Sequence, residues 1–410
     1  MYITLKENVY LVKGKVKGCI YDFNTGNMYQ LDKNVVNLLD NVINKKEEEI
    51  TAIDEREIVR EFTENELMQY SEQICENDIK QLTDKPSSIE FAWIEVTTKC
   101  NLYCIHCYDS SSPHEAELMN FDQFEKVHKF IVDNSIRKIQ FIGGEPLILG
   151  DLLKEMIRSI RKDVDFLEVF TNATLLTDEW ADFFAENKVH IAASVYSYIA
   201  EQHDKVTTVK GAHVRTNAGL KKLSDRKVPF RVCNVLMNGI EIGKCNTDLY
   251  TINTKKDVVR MAGRANFHLL SKELIQRRLI TEQTFSVPLN RKMSEKLVNG
   301  HNCFGHKVYI SATGEAFPCV MERRWSYGNI YDNYTGTIEK VGHGDIPIAK
   351  DKIEGCKDCE FRYACFDCRP NSLGRELSEK PWYCTYEPES GEWCDSEEYI
   401  NELIKQYSVK

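Results

Sequence analysis

The chain has 410 residues, of which 42% are apolar and 10% aromatic, the values of a globular protein with room for two or three domains. A net charge of −10 argues against nucleic acid as a partner, since that binding needs a basic face to displace counterions. No apolar run is long enough to span a bilayer, and the first residues lack the basic and apolar regions of a signal peptide, so no membrane partner and a cytoplasmic location are expected.

Residues 1–85 read as a small separate unit. Extended runs at 9–14 and 18–23, the turn Asn24-Thr25-Gly26-Asn27 and a third run at 28–31 suggest strands joined by tight loops. Asp32 is placed to cap a helix over 34–42, where Val35, Leu38, Leu39 and Val42 recur at helical spacing. A charged helical stretch is expected over 54–80, with Leu67 and Ile74 on its apolar side, and 84–88 reads as a linker.

From 89 to 264, short apolar runs alternate with helical patterns. Strands are expected at 91–96, 138–142, 166–171, 190–195, 230–237 and 258–261, and helices near 122–133, 152–162, 177–186 and 211–223. Such alternation implies parallel strands with crossover helices, and six strands suit an open, partial (β/α)6 barrel. The crossover containing Thr251, Ile252, Asn253 and Thr254 makes a poor helix and is expected to be short or irregular. Residues 265–300 form a polar, helical bridge. Residues 301–410 are loop-rich, with a closing helix over 395–407.

Fifteen cysteines are many for a reducing compartment, where they serve more often as metal ligands or catalytic groups than as disulfides. Cys19, Cys75, Cys233 and Cys245 are scattered and read as ordinary small buried residues. Cys100, Cys104 and Cys107 share one loop after the first barrel strand, where parallel α/β folds carry their sites. Three thiolates at this spacing suit three irons of a 4Fe–4S cubane and leave the fourth iron open to a small molecule. A zinc knuckle completed by His106 is the alternative. The second strand ends in Gly143, Gly144, Glu145 and Pro146; the glycines let a ligand approach the backbone, and the carboxylate and free carbonyls suit an ammonium group.

This cysteine loop followed by Gly143–Pro146 resembles the radical S-adenosylmethionine (SAM) superfamily. The resemblance implies that Cys100, Cys104 and Cys107 hold a cluster whose open iron chelates SAM, and that its electron cleaves SAM to a 5′-deoxyadenosyl radical. It implies SAM contacts at Gly143, Gly144, Glu145, Pro146, Thr171, Asn172 and Ser194, with Ala173 standing where the family usually has glycine. Arg260 and Arg264 resemble the family's Arg-rich segment near the cofactor.

Farther on, Cys303, Cys319, Cys356, Cys359, Cys365, Cys368 and Cys384 resemble a SPASM domain with two auxiliary 4Fe–4S clusters, making three clusters in all. That pattern implies Cys356, Cys359, Cys365 and Cys384 for the outer cluster and Cys303, Cys319 and Cys368 for the inner one. His301, His306 and Cys394 are the candidates for its fourth ligand. The spacing between Cys365 and Cys368 is one residue shorter than is usual in the family, and paired cysteines of this kind also occur in zinc ribbons. The N-terminal unit resembles a PqqD-like element that takes a leader peptide as an extra strand.

Together these resemblances imply a maturase of a ribosomal precursor peptide, supplied with electrons by a flavodoxin- or ferredoxin-type donor. The expected product is a cysteine thioether of sactionine or ranthipeptide type. The alternatives are carbon–carbon or carbon–oxygen crosslinking, side-chain oxidation, or a noncatalytic Fe–S peptide-binding protein.

Overall fold

The computed structural model describes residues 1–82, 89–245, 253–343 and 348–407; the expected linker at 84–88 lies outside them. In the N-terminal part, β1 (Tyr2–Leu5) pairs antiparallel with β5 (Met68–Ser71). Between them β2 (Val9–Lys13), β3 (Lys17–Asp22) and β4 (Asn27–Asp32) form a three-stranded antiparallel sheet, followed by α1 (Lys33–Val42) and α2 (Ile53–Glu64). Ile20, Leu39, Val42 and Phe62 are among the residues of their shared core. The helix expected over 54–80 ends at Glu64. Glu66 takes a left-handed φ of 60°, which an α-helix does not tolerate, and the chain then turns into β5. Leu67 is buried, but Ile74 is 58% exposed.

Six parallel strands follow in spatial order: β6 (Phe91–Glu95), β7 (Lys138–Ile142), β8 (Phe166–Thr171), β9 (His190–Ser194), β10 (Phe230–Leu236) and β11 (Asn253–Val258). Their crossovers carry α3 (Phe121–Asp133), α4 (Asp151–Ile160), α5 (Asp178–Glu186), α6 (Ala200–Thr207) and α7 (Ala212–Asp225). Asn120 and Gln123 form a reciprocal cap at the start of α3, each bond 2.9 Å long, and the Thr177 hydroxyl caps α5. Strands covered on both faces read as apolar runs, and Ile94, Phe141, Val169 and Ile191 are fully buried.

The last strand is a correction. It was expected at 258–261 but runs Asn253–Val258. As the open edge of the sheet it keeps exposed Lys255 and Lys256, so it lacks the apolar signature of its neighbours. Asn253 and Thr254, expected in the crossover, already belong to it; residues 251 and 252 lie outside the described set.

The bridge is broken into α8 (Lys272–Gln276) and α9 (Arg291–Asn299), with Pro288 between them. Three short strands, β12 (Lys307–Ile310), β13 (Glu315–Phe317) and β14 (Gly328–Asn329), then extend the barrel sheet. β12 lies parallel to β6, so among the described residues the sheet has nine strands, and β6 is internal. The chain continues through α10 (Tyr334–His343), a hairpin of β15 (Tyr386–Glu387) and β16 (Glu392–Trp393), and α11 (Ser396–Tyr407), whose first turn is capped by Asp395.

The N-terminal sheet packs against the C-terminal cysteine region. The Tyr21 hydroxyl donates to the Glu360 carbonyl at 2.9 Å and Arg362 donates to the Lys13 carbonyl at 2.8 Å, around buried Phe361, Tyr363 and Tyr386. Among the described residues, no helix is long and apolar enough to cross a membrane.

Candidate active site at the mouth of the barrel

The cysteine loop leaves β6 and is pinned from two directions. On one side it lies against the end of β7: the Gly144 amide donates to the Thr97 carbonyl at 2.7 Å, and the Glu145 amide to the Lys99 carbonyl at 2.9 Å. A Cβ on Gly144 would stand 2.2 Å from the Lys99 carbonyl oxygen, so only glycine allows this approach. On the other side, Gly263 takes a left-handed φ of 59° against the Cys107 and Tyr108 carbonyls. Next to it the Arg264 guanidinium donates to the carbonyls of Cys104 at 3.0 Å, Ser110 at 2.6 Å and Ser111 at 2.7 Å, and stacks on Tyr103 with its centre 4.0 Å from the ring centroid.

So held, Cys100, Cys104 and Cys107 line one cavity of about 200 Å³ together with Gly143, Gly144, Thr171, Asn172 and Ser194. Asn172 Nδ2 donates to Cys100 Sγ at 3.9 Å, and the Cys104 thiol donates to the Tyr196 hydroxyl at 3.8 Å. Burial pushes the Cys100 thiol up, and burial followed by the neighbouring Cys107 pushes Cys104 up to about 12. These thiols stay neutral until a metal replaces the proton. His106 packs edge-on to Tyr196 at 4.7 Å; burial, then the Arg264 charge, lowers it to about 4, so the ring is neutral.

Glu145 does not reach the cavity. It is fully buried and accepts bonds from the Thr171 hydroxyl at 2.6 Å, the Asn172 amide at 2.7 Å and the Leu147 amide at 3.1 Å. It therefore ties the end of β8 to the end of β7, while Pro146 is buried in the turn behind it. Ala173 sits at a φ of 61°, the left-handed conformation in which glycine is the unstrained choice. Arg260 and Arg264 both line the cavity, but the guanidinium of Arg264 is engaged with the cysteine loop. Tyr196, Met321 and Cys233 also line it, and sequence reasoning missed all three; Cys233 had read as an ordinary core residue. A larger open cavity of about 860 Å³ shares Tyr108 and Met321 with the first and leads outward past Arg323 and Leu373.

The other cysteines form two groups. Cys356, Cys359, Cys365 and Cys384 line one small cavity with Lys350, Arg362 and Lys380. Burial raises Cys365 to about 12 and Cys384 to about 11, and the nearby lysines act in the opposite sense. Cys303, Cys319 and Cys368 lie near one another and near Arg260, whose charge favours all three thiolates against burial.

None of the three candidates for a fourth ligand of this inner group is shown in that role. His301 Nδ1 accepts from the Cys303 amide at 3.2 Å, and its Nε2 faces Asp367 at 3.4 Å. His306 is buried and has interactions of its own. Cys394 is exposed and sits near Lys380 and Glu387, outside the inner group, so it is corrected as a candidate. Between the two cysteine groups, Asp367 is fully buried and pairs with Lys350 and Arg369, each at 2.5 Å.

The donor sets fit iron–sulfur clusters. Cubane thiolates bind separate irons around a shared volume, as the residues lining each cavity would.

Comparison with known proteins agrees with this geometry. Residues 94–243 match the family model described as the Radical SAM superfamily and form a radical SAM domain, and the chain is an enzyme. The chain is 27% identical over 322 residues to the antilisterial bacteriocin subtilosin biosynthesis protein AlbA of Bacillus subtilis, covering 72% of this chain and 70% of that protein. Streptococcus suis SuiB bound to S-adenosylmethionine shares the fold with a TM-score of 0.55 at 12% identity, over 92% of this chain and 98% of that one. The enzyme anSMEcpe with bound AdoMet and a peptide does so with a TM-score of 0.52 at 18% identity, over 78% of this chain and 98% of that one.

Proposed function

We propose that this enzyme is a peptide maturase that installs a crosslink in a ribosomally made precursor, with a thioether from a peptide cysteine as the first product. The observation that carries the reading is the set of Cys100, Cys104 and Cys107 around one cavity, facing Gly143, Gly144, Thr171, Asn172 and Ser194. These thiols hold a 4Fe–4S cluster in this reading, and SAM lies against the facing residues. Cluster and SAM, when bound there, would supply a 5′-deoxyadenosyl radical able to take a hydrogen atom from the peptide. The outer auxiliary cluster belongs to Cys356, Cys359, Cys365 and Cys384, and the inner one to Cys303, Cys319 and Cys368.

A peptide substrate is supported by the likeness to AlbA, named for subtilosin biosynthesis, and to peptide-bound anSMEcpe. It is supported also by β4, which among the described strands pairs on one side only and carries mostly exposed side chains. Its free edge suits a leader peptide added as a strand, so residues 1–85 serve as the leader-binding unit. Residues 89–264 form the catalytic barrel, 265–300 the bridge and 301–410 the auxiliary-cluster unit. A flavodoxin- or ferredoxin-type protein delivers electrons in the cytoplasm.

The thioether is favoured because the inner group offers three thiols and no assigned fourth ligand, which suits a substrate thiolate as the fourth. The test is incubation of the reconstituted enzyme with SAM, reductant and a cysteine-containing precursor, with free thiols alkylated before and after. The precursor is expected to lose two hydrogens and one alkylatable thiol per crosslink. Equal processing of a cysteine-free precursor would shift the reading to carbon–carbon or carbon–oxygen crosslinking or side-chain oxidation. No 5′-deoxyadenosine from the loaded protein would leave a noncatalytic Fe–S peptide-binding protein.

A further inference from the structure

Two buried N–H groups beside the inner thiols have no hydrogen-bond partner among the described residues: Arg260 Nε and Asn371 Nδ2. Each side chain is anchored elsewhere. Arg260 pairs through Nη2 with Asp257 at 2.7 Å, and Asp257 is held in turn by Arg278 at 2.8 Å. Asn371 is 2% exposed, and its Oδ1 accepts from the Met261 amide at 2.9 Å. The residue following Arg260 thus fastens Asn371, and both lie by Cys368. The Asn371 backbone amide donates to the Cys368 carbonyl at 3.1 Å, and the Arg260 charge faces Cys368 and Cys319. Buried donors without an acceptor are costly and rare, so two at one place call for an anionic acceptor. Sulfur anions at a cluster are such acceptors, and N–H donors to them are a recognised means of setting its potential.

We infer that Arg260 and Asn371 donate hydrogen bonds to a sulfur anion at the inner cysteine group, either a sulfide of the cluster held there or a thiolate completing it. This rests on the reading that Cys303, Cys319 and Cys368 hold a cluster. It also moves Arg260 from a SAM contact to a positioning residue on the wall shared by the SAM cavity and the inner group.

The test compares reconstituted wild type with Arg260→Met, Arg260→Lys and Asn371→Leu. Cluster reduction potentials and electron paramagnetic resonance are followed with and without N-acetylcysteine amide as a thiol probe. SAM affinity is measured alongside, and a Cys303→Ala/Cys319→Ala protein identifies the inner-cluster signal. The inner potential is expected to fall in Arg260→Met and Asn371→Leu and to recover in part in Arg260→Lys, while SAM affinity of Asn371→Leu, whose residue lies outside the SAM cavity lining, stays within about two-fold of wild type. A shift seen without the probe assigns the acceptor as sulfide; a shift seen only with it assigns a thiolate. If Arg260→Met fails to load the inner cluster, Arg260→Lys and Asn371→Leu carry the test. An unmoved inner potential in a protein holding about twelve irons overturns this inference alone, as does SAM binding weakened about tenfold with the potential unchanged. About four irons in wild type would overturn the auxiliary-cluster reading as well.

Discussion

Arg264 Nε donates to the Cys104 carbonyl at 3.0 Å across 160 residues of sequence, and the rest of its guanidinium reaches Ser110 and Ser111. One planar fork from the far edge of the barrel thereby sets the path of the loop carrying all three thiols. A lysine cannot make three such bonds in fixed directions. Arg264→Lys is expected to lose the SAM-site cluster, about four of about twelve irons per chain, while the auxiliary clusters remain; iron and sulfide analysis after reconstitution checks this.

Gly144 meets the same loop from the opposite side. Because a Cβ there would lie 2.2 Å from the Lys99 carbonyl oxygen, Gly144→Ala must push the cysteine loop outward. The protein is expected to keep its circular dichroism spectrum and lose the SAM-site cluster. Normal loading of that cluster would show that the loop yields at no cost.

Glu145 links stability to pH. Burial raises its carboxyl to about 7, despite bonds from Thr171, Asn172 and Leu147 that favour the ionised form. The folded value lies above the unfolded one of about 4.3, so its favourable contribution is complete below that pH and disappears as pH rises through about 7. Glu145→Gln removes the titration. Wild type is therefore expected to lose stability relative to the variant between about pH 4.5 and 7.5, measured as the difference in denaturation midpoints at each pH.

Lys350 and Asp367 are both fully buried and 2.5 Å apart. Lys350→Met leaves the carboxylate with Arg369 and His301 alone, and removing one partner of a buried pair costs roughly 3 kcal/mol. The expected result is a lower denaturation midpoint. A midpoint equal to that of wild type would mean that Arg369 suffices to hold Asp367 ionised.

Much of the barrel was legible because its inner strands are mostly apolar, the buried pair Gln140 and Glu168 being an exception inside the sheet. The runs at 138–142 and 166–171 coincide with β7 and β8. The edge strand β11 was misplaced because solvent on one side leaves it polar, and β12 to β14 were missed because two to four residues carry no period. Cysteine spacing pointed to the thiol groups, since ligands on one loop must be close in sequence. The residues that position them were not readable in this way. The bonds of Arg264 to the cysteine loop and of Glu145 to the end of β8 carry no sequence signal, because the partners are distant along the chain. Tyr196 and Asn371 carry no local motif at all, and only the folded chain brings them to Cys104 and Met261.

In the proposed function, Cys100, Cys104 and Cys107 hold the cluster that reduces SAM in this cavity. The most direct test is 5′-deoxyadenosine production from SAM and reductant by the anoxically reconstituted protein, beside a Cys100→Ala/Cys104→Ala/Cys107→Ala protein. Wild type is expected to form it, and the triple variant, short of about four irons, to form none. No product from fully loaded wild type, or equal product from the triple variant, would exclude these cysteines as the site of SAM reduction.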